Sequence, residues 1–201
     1  MPPKSSQRTS LGSSQPQPFE AAVTKLCSAI ANAKEKDGEI KAQSIITRLK
    51  EFLSDYRKAK KILDSPIISL VVGSLENDGD NICSRLDPSI FCTIVELVLQ
   101  SEPCIEGERC LFLLAKSLFD DARDPENKVV VENRKGKIGR ECRQRLLRYF
   151  IDEETAPTMR RWAGVLCVQL FSDCKENCQW MEFGPEDYRW EPLRHCGYRH
   201  R

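Results

Sequence analysis

Histidine is almost missing from this chain. Of 201 residues only His195 and His200 are histidines, and both stand among the last seven. A Ser-His or Cys-His nucleophile pair needs its base held inside a formed pocket, so that chemistry is not expected. Glycine is scarce at 10 residues, and neither a GxxxxGKS/T nor a GxGxxG run occurs, which removes the phosphate-cradling loops of nucleotide-binding folds. Neither sign of charge is in excess. A formal net charge of +1 gives no global field for nucleic acid or an anionic membrane, so electrostatic recognition must come from a local patch. Long hydrophobic runs are missing too: no segment offers about 18 uninterrupted apolar residues for a membrane span. The opening MPPKSSQRTSLGSSQPQP has no apolar core for a secretory signal. The expectation is a cytoplasmic and/or nuclear protein without a membrane partner. Two carboxylates can meet in space from anywhere in a chain, and sequence leaves that chemistry open. The expected role is nonetheless non-catalytic.

What is present is core-forming material, with 40% hydrophobic and 30% charged residues over a length that fits one domain with a tail. Ten cysteines in a reducing compartment are thiols or metal ligands rather than a disulfide framework. Cys27, Cys92, Cys110, Cys142 and Cys167 stand where core residues belong and read as small hydrophobes.

Residues 1–18 are Ser, Gln and Pro with almost no large apolar groups, and should form a disordered tail. From residue 19 to 182 the pattern is helical. Phe19, Val23, Leu26, Cys27 and Ile30 form one stripe, which Asp37-Gly38 ends. A second helix is predicted from Glu39 to Leu63, burying Ile45, Ile46, Leu49, Phe52, Leu53 and Tyr56 and leaving most of its lysines to solvent. Two short, nearly all-apolar helices follow, Pro66 to Leu75 and one opened by Asp87-Pro88. Lys128 to Glu132 is strand-like in composition but lacks a partner, so it reads as a helix start or loop. Arg134 to Gly139 reads as a polar loop, followed by a helix with the stripe Ile138, Cys142, Leu146, Tyr149 and Phe150. Residues 183–201, with Pro185, Tyr188, Trp190 and Pro192, read as an irregular aromatic and basic C-terminal tail.

Between Thr158 and Gln179 the apolar positions Trp162, Val165, Leu166, Val168, Leu170 and Phe171 span a wide arc, which predicts burial on more than one side. Small Ala163 and Gly164 would admit a close neighbour. Upstream, Glu108 to Lys128 echoes this segment in one register: Arg109 with Arg161, Leu114 with Leu166, Ala115 with Cys167, and Leu118-Phe119 with Leu170-Phe171. Glu126-Asn127 falls against Glu176-Asn177 after a two-residue change in the turn. Basic residues, a small residue, an aliphatic run and a polar turn, in that order, resemble the third helix of an armadillo repeat. The resemblance, over residues 66 to 180, implies an all-α, armadillo-like or HEAT-like fold, a short right-handed α-solenoid; an unspecialised all-helical domain is the alternative. Stacked units of this kind make extended binding surfaces. The resemblance therefore implies a scaffold or adaptor binding a partner protein.

Two constellations could carry chemistry. Cys174 and Cys178 are followed by Cys196 and His200 at the same internal spacing, with 17 residues between the pairs. Thiolate and imidazole are the donors zinc prefers. The competing reading, local packing or surface cysteines with no cofactor, is the expected one. Arg134, Lys135, Lys137, Arg140, Arg143, Arg145 and Arg148 stand against Glu141 alone, and Arg140, Arg143, Arg145 and Arg148 are the candidate contacts to nucleic acid in the alternative function, a nucleic-acid-associated module. A solvated, ion-paired surface is the bland reading of the same residues.

Overall fold

The computed structural model describes residues 18–32, 40–60, 62–63, 65–77, 80–120 and 128–172, together with Cys174 and Asn177. The expected disordered tail up to residue 17 and the aromatic tail of residues 183–201 lie outside the described residues.

The described chain is all-α apart from a two-residue ribbon. Its helices are α1 (Pro18–Ala31), α2 (Gln43–Lys58), α3 (Ser65–Leu75), α4 (Pro88–Leu99), α5 (Ile105–Asp120), α6 (Lys128–Ile151) and α7 (Pro157–Phe171). Between α3 and α4, strands β1 (Glu76–Asn77) and β2 (Asp80–Asn81) pair antiparallel and lead into a 3-10 turn, Ile82–Arg85. The local chemistry explains the starts. Asp87 caps α4 by accepting from the Ser89 amide at 2.8 Å, with Pro88 in the first turn where its missing N–H costs nothing. Pro157 opens α7 in the same way.

Helices alternate between two layers. α1 packs on α3, α3 on α5 and α5 on α7, while α2 packs on α4 and α4 on α6; α1–α2, α4–α5 and α6–α7 contacts close the space between the layers. The linkers repeat this relation. Ile40, just before α2, bridges in parallel to Leu86, just before α4; Leu63 beyond α2 does the same with Ser101 beyond α4. The Ile40 amide donates to the Arg85 carbonyl at 2.9 Å, and the Leu63 amide to the Gln100 carbonyl at 3.1 Å. α2 is therefore shorter than the predicted Glu39 to Leu63 helix. Both ends of that stretch leave the helix to satisfy backbone groups across the linkers, and Lys60, at φ 51°, makes the left-handed residue that stops α2.

α4 sits in the middle of the molecule. Ile90, Phe91, Cys92, Ile94, Val95, Leu97, Val98 and Leu99 are all buried, against α2, α3, α5 and α6. Local β propensity there is overridden by packing on every side.

The predicted polar loop at Arg134 to Gly139 is corrected: α6 runs through it unbroken. Val131, Lys135, Ile138, Cys142, Leu146 and Tyr149 make a buried stripe along that helix. Gly139 serves proximity instead of a turn. A Cβ on Gly139 would lie 2.6 Å from the Asn177 side chain. Asn177, fully buried, donates to the carbonyls of Lys135 (3.0 Å) and Leu170 (2.7 Å), tying the chain beyond α7 to α6. Buried Lys135 donates its ammonium to the Ser172 carbonyl at 3.3 Å. Gly164 of α7 approaches the Phe150 ring so closely that a Cβ would lie 3.0 Å away.

Burial of α7 on more than one side is also corrected in part. Leu166 and Leu170 are buried, Trp162, Val165 and Phe171 are half-buried, and Val168 is exposed. Among the described residues α7 has α5 and α6 as its main neighbours, and no described helix packs beyond it in its layer.

Candidate partner-docking face

α5 carries two apolar stripes. Cys110, Leu111, Leu114 and Leu118 face the core and are fully buried. Ile105, Phe112 and Phe119 are spaced seven residues apart, so they line up on the opposite side over about 21 Å of helix. Their exposures are 83%, 55% and 45%. On the helices at either side of α5 in its layer, Leu70 of α3 and Val168 of α7 are also more than half exposed. Single exposed apolar residues are ordinary on a protein surface; a heptad line of three, two of them aromatic, is a less common arrangement. Charge frames it. Arg109, on the same helix, forms a bidentate pair with Glu76 at 2.9 and 2.6 Å, which anchors the ribbon to α5. Sequence reasoning missed Ile105 and Phe112. Their heptad spacing opposite the leucines was readable in the sequence, but their exposure was not.

The register between α5 and α7 carries through to burial. Leu114 and Leu166, and Leu118 and Leu170, are all buried, while Arg109 and Arg161 are both exposed. Glu126-Asn127 and Glu176 lie outside the described residues.

The four candidate arginines on α6 part company. Arg140 and Arg148 are exposed, Arg143 is half-buried, and Arg145 turns inward. The Arg145 Nε lies 2.9 Å from Glu96 Oε2, and its Nη1 donates to the Cys92 sulfur at 2.9 Å. Arg57 of α2 holds the other Glu96 oxygen at 2.7 Å. Glu96 is 3% exposed, so two arginines neutralise one buried carboxylate at the heart of the even-numbered layer. Burial works against the Arg145 charge, but Cys92 and Glu96 outweigh it and hold the guanidinium above its usual range. One turn on, the Tyr149 hydroxyl donates to Gln100 Oε1 at 2.7 Å, and burial raises its phenol. Arg140 instead joins Lys41, Lys137, Asp87, Ser89 and Glu141 around a cleft of about 290 Å³ at the start of α4. The α6 cluster thus splits between an internal structural cation and an external surface.

Of the four candidate zinc ligands, Cys178, Cys196 and His200 lie outside the described residues. Cys174 is buried, and its thiol donates to the Glu132 carbonyl at 3.7 Å. Among the described residues no three His, Cys, Asp or Glu side chains are grouped to hold a metal ion. Nor is any described helix long and apolar enough to cross a membrane.

Comparison with protein-family models, with curated proteins and with solved structures finds no match in any of the three.

Proposed function

We propose that this protein is a non-catalytic scaffold or adaptor, built as a short armadillo-like or HEAT-like stack, whose α5 face binds an amphipathic helix of a partner protein. The carrying observation is the heptad line Ile105, Phe112 and Phe119, exposed on the middle of three neighbouring helices. A seven-residue apolar period fits a second helix laid nearly along α5, since ridges of one helix enter grooves of the other at a shallow angle. The repeat reading is supported by the linker bridges on both sides of α2 and α4, whose partners lie roughly 40 residues apart, close to the period of such units.

The test is a selection of displayed helical peptides against the full chain. Selected sequences should carry apolar residues at three-, four- and seven-residue spacing. Phe112→Glu should weaken them by at least about tenfold, as expected of an aromatic anchor, with circular dichroism unchanged. Selection of extended or wholly polar peptides, or binding indifferent to Phe112→Glu, overturns the reading; loss of chain self-association in the variant would name a second copy as the occupant.

A nucleic-acid reading keeps one specific support, the cleft ringed by Lys41, Lys137 and Arg140. Binding there would fall steeply with salt, because each neutralised phosphate releases counterions, whereas an apolar contact on α5 would survive about 0.3 M salt.

A further inference from the structure

The outer side of α5 is symmetric in its chemistry. Ile105, Glu108, Phe112, Lys116 and Phe119 are all exposed there, and at 3.6 residues per turn they fall within about a quarter of the helix circumference. Phe112 is the centre. Glu108 and Lys116 stand four residues to either side of it, and Ile105 and Phe119 seven. Arg109, on the same side, is held by Glu76 and brings no uncompensated charge.

Two such faces fit one another in one direction only. Laid antiparallel about Phe112, the level of Ile105 on one copy is the level of Phe119 on the other, and Phe112 meets its own image. Glu108 of each copy then stands level with Lys116 of the other, within the combined reach of two long side chains. Laid parallel, Glu108 would stand beside Glu108 and Lys116 beside Lys116, and like charges at such spacing repel. A two-fold contact requires a self-complementary patch. A face used only by a foreign helix has no need of that symmetry.

Resting on the reading of α5 as a helix-docking face, we infer that α5 pairs antiparallel with α5 of a second copy of this chain, and that this pairing masks the face until a partner helix displaces it. The size of the contact suits displacement. A strip about 21 Å long and one helix, about 10 Å, wide covers on the order of 200 Å² per copy. Including the flanking helices α3 and α7, which carry exposed Leu70 and Val168, widens it to roughly 600 Å². Both figures fall short of the roughly 800 Å² per partner of a standard stable interface, so the copies exchange.

The test is sedimentation of the full chain over a concentration series, which should show a reversible monomer–dimer equilibrium. Phe112→Glu should abolish the dimer with circular dichroism unchanged. Glu108→Lys and Lys116→Glu should each weaken it by about tenfold, because symmetry turns two attractions into two repulsions. An equimolar mixture of those two variants, or one chain carrying both changes, should recover association, since opposite charges face again. A labelled amphipathic helical peptide selected on the chain should lose apparent affinity as chain concentration rises through the dimer range. A chain that stays monomeric while still binding such a peptide overturns the self-masking and leaves the docking reading standing. Self-association that ignores Phe112→Glu or the charge exchange overturns the antiparallel pairing, and a dimer of the expected symmetry that binds the peptide as tightly as the monomer overturns the masking.

Discussion

α4 and α5 are adjacent in sequence and both rich in large apolar residues, yet they spend them differently. α4 buries every face, and even its one acidic residue, Glu96, is enclosed between Arg57 and Arg145. α5 buries one stripe and leaves a second in solvent. The difference comes from position in the stack: α4 has helices packed around it, whereas α5 has them on its sides and inward face. An apolar residue thus stabilises the fold on α4 and meets water on the outer side of α5.

The comparison breaks most sharply within α5 itself. Leu114→Ala should cost about 2–5 kcal/mol in denaturant unfolding, because it opens a cavity in a dry core. Phe112→Ser, two residues away, should change stability by less than about 0.5 kcal/mol. Equal effects would mean that the two stripes are not distinct. On α4, Glu96→Gln should cost about 2–4 kcal/mol, since it strips two arginines of their shared counter-charge; both are about a quarter exposed, which moderates the loss. A neutral result in thermal unfolding would show that solvent already screens the cluster. A smaller loss than either buried-site change tests proximity between α6 and the chain beyond α7: Gly139→Ala should cost about 1–3 kcal/mol through overlap with Asn177. Combining it with Asn177→Ala should give less than the sum of the two single losses.

Much of this was legible in the residues. The stripes of α1, α3 and α4, the Asp87-Pro88 start, the buried leucines at 114, 118, 166 and 170, and close packing at Gly164 follow from periodicity and from the backbone preferences of proline and glycine. The run from Arg134 to Gly139 misled because two glycines and three basic residues look like a loop until one sees that Gly139 faces Asn177 and Lys135 reaches a carbonyl. The exposed stripe of α5 was missed for the opposite reason. Ile105, Phe112 and Phe119 are apolar at helical spacing, and nothing local distinguishes such a stripe from one that packs.

Sequence alone determined that the chain is helical, where most helices begin, and which stripes are apolar, because these depend on local backbone preference and on a period of 3.6. Tertiary structure decided which apolar stripe meets a neighbour and which meets water, that Arg145 turns inward while Arg140 stays out, and that the Arg145 guanidinium reaches the Cys92 sulfur. Those outcomes depend on contacts between residues some 50 positions apart in the chain, and such contacts exist only once the layers have stacked.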